Sequence, residues 1–259
     1  MSQAPPYPPG HGLLAGKTVL VTAAAGTGIG FAAARRCVEE GARVMISDLH
    51  ERRLGEAARR LEAIAGAKVA SRLCDVTDDA QVRALARAAV AELGHIDVLV
   101  NNAGLGGHAR VVEMTDEQWD TVLDVTLNGT FRMTRAVLPH MLERGKGAIV
   151  NNASVLAWRA QEGQAHYAAA KAGVMALTRC TAIEAAERGV RVNCVAPSLA
   201  MHEFLGKVTP AGLLEELAAR EAFGRAAEPW EVANVIVFLA SDLSSYMTGE
   251  VVSVSSQRA

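Results

Sequence analysis

The chain has 259 residues, half of them hydrophobic, with 26 Lys and Arg against 28 Asp and Glu and a formal net charge of −2. That is enough apolar material for one large α/β domain or two small ones, and the near balance of charge supplies no basic stripe for nucleic acid or an anionic membrane. No apolar run approaches the ~18 residues of a membrane-spanning helix, and Cys37, Cys74, Cys180 and Cys194 fall at no metal-ligand spacing, so they read as reduced core residues of a cytoplasmic protein without a metal.

Residues 1–12 are rich in Pro and Gly and lack the charged and apolar blocks of a signal peptide. They are expected to form a disordered tail, with 13–259 as a single domain. From there, short β-branched runs at 18–21, 43–47, 69–73, 98–100, 148–151, 190–195 and 251–254 alternate with segments of helical period at 29–40, 51–64, 78–93, 116–142, 165–187 and 229–239. Apolar strands without polar alternation, separated by helices, imply a parallel sheet covered on both faces. The fold class is therefore α/β, a doubly wound Rossmann-type domain with a seven-stranded parallel sheet. A barrel would need an eighth strand. Residues 198–228 break the rhythm with Pro210 and a short helical piece at 213–222. A segment of that length is expected to be a substrate lid, a passive surface insertion being the alternative.

The first strand runs into Thr22-Ala23-Ala24-Ala25-Gly26-Thr27-Gly28-Ile29-Gly30 and then a helix. Small residues at Gly26, Gly28 and Gly30 let a backbone approach a pyrophosphate, and the helix that begins at Ile29 offers free N–H groups and a partial positive charge. Asp48 ends the second strand twenty residues after Gly28, where a carboxylate accepts hydrogen bonds from an adenosine ribose and repels a 2′-phosphate. Leu49 follows it and the glycine loop holds no Lys or Arg, which predicts NAD in preference to NADP. Arg52 and Arg53 are the side chains that could reverse this preference. Asp75-Val76 and Asn102-Ala103-Gly104 close the third and fourth strands, the edge where open α/β sheets bind ligands; each could also be a cap or a turn.

Ser154 ends the fifth apolar run, and Tyr167 and Lys171 lie four apart in the helical segment that follows. On a helix the last two share a face, and a hydroxyl, a phenol and an ammonium at one point can polarise a carbonyl and move a proton. The spacing alone carries little, since an amphipathic helix with a Tyr and a solvated Lys has the same pattern.

Taken in order, Gly28-Ile29-Gly30, Asp75-Val76, Asn101-Asn102-Ala103-Gly104, Ser154, Tyr167-x3-Lys171, Val192-Asn193 leading to Pro197, and Phe238-Leu239-Ala240-Ser241-Asp242 leading to Thr248-Gly249 resemble the short-chain dehydrogenase/reductase family over about residues 14–254. The resemblance implies that Tyr167 is general acid in reduction and base in oxidation. Lys171 would lower its pKa and bind the nicotinamide ribose, and Ser154 would hydrogen-bond the substrate oxygen. It implies that the stretch from Pro197 to Ala200 contacts the nicotinamide amide, and that the chain assembles as a homotetramer. Departures are Ala23 in place of the first glycine of a loop one residue longer than usual, and Ser198 and His202 after Pro197. Thr126 stands where the family has a catalytic Asn, which implies an altered proton relay, and Ser255-Ser256-Gln257 replaces the usual ending.

The glycine loop and the terminal Val-Ser-Ser-Gln-Arg-Ala together resemble a bacterial subgroup serving steroid-ring degradation, which acts on hydroxy-hydrindane acyl-CoA intermediates. Leu156, Trp158, Gln161, His202 and Phe204 would line a pocket for an apolar ring with a few polar handles. The expected function is NAD-dependent interconversion of a secondary alcohol and a ketone on a cyclic, steroid-derived acyl-CoA, a small-molecule partner. One alternative is an NADPH-dependent 3-oxoacyl or other ketone reductase, using Arg52 or Arg53. Another is a catalytically weak NAD-binding regulatory protein, which Thr126 would suggest.

Overall fold

The computed structural model describes residues 3–201 and 211–256. Their strands are β1 (Thr18–Val21), β2 (Arg43–Asp48), β3 (Ala70–Leu73), β4 (Val98–Asn101), β5 (Gly147–Asn152), β6 (Val190–Pro197) and β7 (Val251–Val254). All pair in parallel, in the order β3-β2-β1-β4-β5-β6-β7. The chain works outward from β1 to β3, then returns to β4 on the other side of β1. That reversal opens a crevice above the carboxyl ends of β1 and β4.

The helices are α1 (Ile29–Glu39), α2 (Glu51–Ala65), α3 (Asp79–Leu93), α4 (Asp116–Leu123), α5 (Gly129–Arg144), α6 (Ala165–Ala186), α7 (Ala211–Arg220) and α8 (Pro229–Ala240). Successive strand residues feed opposite faces although nearly all are apolar. Val19, Val21, Val44, Ile46, Val98, Val100 and Val150 pack with α1, α2 and α8. Leu20, Met45, Leu99 and Ile149 pack with α3, α5 and the end of α6. Burial on both sides is why the strands read as unbroken apolar runs.

Three expectations are corrected. The segment expected as a disordered tail lies across α1. Tyr7 donates to Glu39 at 2.5 Å, its ring meets Trp230 edge-on at 5.4 Å, and the Pro8 carbonyl accepts from Arg36. The N–H groups of His11 and Leu13 both bond the fully buried Glu40 carboxylate. The single helix expected over 116–142 is broken by a π-turn at Asp124–Asn128 between α4 and α5. Of the cysteines read as core, Cys37, Cys74 and Cys194 are buried, but Cys180 faces solvent on α6. Among the described residues no helix is long and apolar enough to cross a membrane, and no cluster of potential ligands could hold a metal.

Candidate active site

The loop from β1 to α1 is built to leave space above itself. Gly26 has φ +101°, and Ala23 has φ +49°, the left-handed region that favours glycine. Gly30 permits a close crossing, since a Cβ there would lie 2.3 Å from the Ala23 carbonyl and 2.4 Å from Asn102 Nδ2. The Thr22 hydroxyl accepts from the N–H groups of Asn102 and Ala103 at 3.0 and 3.2 Å, pinning the end of β4 to β1. Gly28 caps α1 without a side-chain hydrogen bond, and the first turn holds no acidic residue. The helix therefore presents unpaired N–H groups and its positive dipole end, a donor set that fits a diphosphate.

Asp48 sits beside this loop at the tip of β2, nearly buried. One carboxylate oxygen accepts from Ala25 N–H and the other from His50 N–H, each at 3.0 Å. Burial raises its pKa, opposed by the Ala25 bond and the Arg53 charge. Each oxygen keeps a lone pair for a ligand hydroxyl. Arg52 is held by Glu56 at 2.8 Å, so of the two arginines Arg53 is the one beside Asp48. Asp75 lies two residues past β3 with one oxygen spent on the Thr77 backbone and hydroxyl, and Val76 packs under Gly129.

Ser154, Tyr167 and Lys171 come together where β5 ends and α6 begins. Ser154 lies two residues past β5, its hydroxyl accepting from Leu156 N–H at 3.2 Å and hydrogen-bonding the Tyr167 phenol. Lys171 is buried one turn below, its ammonium 2.5 Å from the Asn152 carbonyl and 5.6 Å from the Tyr167 ring centroid. Burial pushes the Lys171 pKa down to about 8, weakly opposed by the Cys194 thiol. Burial raises the Tyr167 pKa, and the hydrogen bond that lowers it comes from Ser154.

A glycine-rich loop, Gly104-Leu105-Gly106-Gly107, wraps the pair. A Cβ on Gly104 would press on Lys171 Nζ at 3.2 Å, and one on Gly107 would meet the buried His166 ring at 2.9 Å. Gln164 donates to the Gly107 carbonyl and Ala109 N–H to Gly163, lacing this loop to the one that precedes α6. Leu105, Gly106, His166 and Asn152 were not singled out from the sequence. The glycine run and the His beside Tyr167 were the available signals.

The family model described as enoyl-(acyl carrier protein) reductase matches residues 23–256. A Mycobacterium tuberculosis protein named (5R,7aS)-5-hydroxy-7a-methyl-1-oxo-2,3,5,6,7,7a-hexahydro-1H-indene-carboxyl-CoA reductase is 64% identical over 258 residues, 99% of this chain and 98% of that protein.

The chain belongs to the short-chain dehydrogenase/reductase family.

The 3-oxoacyl-[acyl-carrier-protein] reductase FabG of Thermotoga maritima is 42% identical over 93% of this chain and 97% of its own length. A crystal structure of a short chain dehydrogenase from Mycobacterium smegmatis superposes with a TM-score of 0.88 at 60% identity, covering 99% of both chains. As a short-chain dehydrogenase/reductase, the chain is an oxidoreductase of CH–OH groups that uses a nicotinamide cofactor. Within this dehydrogenase/reductase fold, Thr126 lies fully buried on the π-turn. Its hydroxyl accepts from Leu105 N–H at 3.0 Å and donates to Leu105 C=O at 3.2 Å. Its one donor and one of its two acceptor lone pairs hold the glycine-rich loop, so a relay water could donate to it but could accept from it only by displacing the Leu105 carbonyl. Asn128 points away to Asp124.

Pro197 ends β6 against Val254, and Ala200 bridges to Ala227 at the base of the expected lid. Among the expected pocket residues of this dehydrogenase/reductase, Leu156 and Gln161 are half-buried and Trp158 is 53% exposed. His202 and Phe204 lie outside the described residues.

Proposed function

We propose that this chain interconverts a secondary alcohol and a ketone on a cyclic, steroid-derived acyl-CoA, with NAD as the hydride carrier. The observation that carries the reading is the meeting of Ser154, Tyr167 and Lys171 in a chain 64% identical to a reductase named for a hydrindane carboxyl-CoA. A bound nicotinamide supplies the hydride. Tyr167 gives a proton to the substrate oxygen in reduction and takes it back in oxidation, with Ser154 holding that oxygen. Lys171 holds positive charge beneath the ring and binds the nicotinamide ribose. The glycine loop and the α1 N-terminus would hold the diphosphate, and Asp48 the adenosine ribose hydroxyls. Pro197 and Ala200 would flank the nicotinamide amide, and Leu156, Trp158 and Gln161 would face the ring substrate. We place the enzyme in the cytoplasm as a homotetramer.

NAD is favoured because a second anion beside the Asp48 carboxylate is repelled and Arg52 is already paired. Arg53 supports the second reading, NADPH-dependent reduction as in the 3-oxoacyl relatives, because its charge reaches the same carboxylate. Titration with NADH and NADPH separates the two, and tighter NADPH binding would defeat the Asp48 argument. For the substrate, hydroxylated bicyclic acids should be assayed free and as CoA thioesters. Turnover confined to straight-chain 3-oxoacyl thioesters would overturn the cyclic assignment.

A further inference from the structure

Asn152, the last residue of β5, carries a side-chain oxygen that the surrounding protein leaves without a donor. Asn152 Nδ2 donates to Asn102 Oδ1 at 2.9 Å, and Asn102 Nδ2 donates to the Ala23 carbonyl at 3.0 Å. The direction of this amide chain is fixed by its far end. A backbone carbonyl only accepts, so Asn102 turns its NH₂ to Ala23 and its oxygen to Asn152. Asn152 must then offer its own NH₂, and Oδ1 is left over. That oxygen is shielded from solvent and has no hydrogen-bond partner. A buried carbonyl without a donor is costly, and folds seldom keep one that packing alone would supply with an aliphatic side chain. Neighbouring Asn151 uses both ends of its amide, accepting from Asn101 and donating to Thr178.

The position of Asn152 says which part of a ligand would complete it. Its backbone carbonyl holds the Lys171 ammonium. Along the sheet edge, β5 stands three strand intervals from β2, where Asp48 sits. That is about 14 Å at the usual strand spacing, which puts Asn152 at the opposite end of an extended dinucleotide from the adenosine.

We propose that Asn152 is a binding residue for the nicotinamide-ribose half of the dinucleotide, its side-chain oxygen accepting an O–H or N–H donor of that half. The inference rests on the nicotinamide-dependent reading given above. Because the oxygen is shielded, donor entry includes a local side-chain shift.

The test compares the wild type with Asn152→Leu, measuring dissociation constants for the preferred dinucleotide and for AMP by fluorescence or calorimetry. Loss of one hydrogen bond should weaken NADH roughly tenfold and leave AMP binding unchanged. Equal weakening of both ligands would mean that the amide chain only props the glycine loop through Ala23, and would overturn the proposal. An unchanged NADH constant would overturn it too, including the case in which only the pH profile of turnover moves and the oxygen serves Lys171. Should the leucine variant not fold, Asn152→Ala, which cannot overfill the site, gives the same readouts. A wild type that bound neither NADH nor NADPH would instead defeat the nicotinamide reading itself.

Discussion

Tyr167 and Lys171 work in surroundings that oppose charge on both, and this makes their titration a test of the geometry. The Lys171 pKa is pushed from its ordinary 10.5 down to about 8 by burial. Between those values the unfolded chain holds a proton that the folded chain does not, so stability rises with pH through that window. Wild type should gain on Lys171→Met by up to roughly 3 kcal/mol between pH 8 and 10.5, read by urea unfolding of ligand-free protein. A flat difference would mean that Lys171 is solvated. Thr126 is the second residue-scale case. Thr126→Val keeps the shape and deletes both bonds to Leu105. It should cost about 1–3 kcal/mol of stability and lower turnover together, whereas a residue acting only through a relay water would lower turnover alone. Sequence reasoning found the unusual Thr126, but its partner Leu105 is twenty-one positions away and no local pattern announces that pairing.

At the scale of elements, the strands and most helices were legible because apolar runs and helical periods follow directly from burial on two faces. The glycine loop was legible because its residue types are forced by close approach. Ala23 is the exception, an L-residue in a left-handed turn. Ala23→Gly should stabilise the protein by about 0.5–1 kcal/mol, the relief of left-handed strain outweighing glycine's added unfolded-state entropy. A chemical unfolding midpoint that moved down would contradict this. The π-turn at Asp124–Asn128 was not legible, because one inserted residue leaves the local periodicity almost intact while it turns Thr126 toward Leu105. The N-terminal segment misled for a different reason. Its Pro and Gly content argues against regular structure, and it forms none, but Tyr7 anchors it on Glu39, Arg35 and Trp230. Tyr7→Ala should lower stability by about 1–2 kcal/mol, where a mobile tail would give no change.

Across the whole molecule, the strand order lines up Asp48, the glycine loop, Asn102, Asn152 and Ser154 along one edge of the sheet, from β2 through β1 and β4 to β5. The reversal between β1 and β4 leaves room above that line, and the first turn of α1 faces it. Asp48, Asn102 and Ser154 were visible in the sequence as polar groups at strand ends and the loop by its glycines, whereas Asn152 was passed over. What the sequence could not give was their mutual orientation, above all the polarity of the amide chain from Asn152 to Ala23. The most direct measurement is NAD-linked oxidation of a hydroxylated bicyclic acyl-CoA by wild type and Tyr167→Phe, with dinucleotide binding followed in parallel. Removing the phenol oxygen should cut turnover by about 10²–10⁴-fold with binding nearly unchanged. Near-wild-type turnover by Tyr167→Phe would contradict the assignment of Tyr167 as the proton carrier and, with it, the reaction proposed for this site.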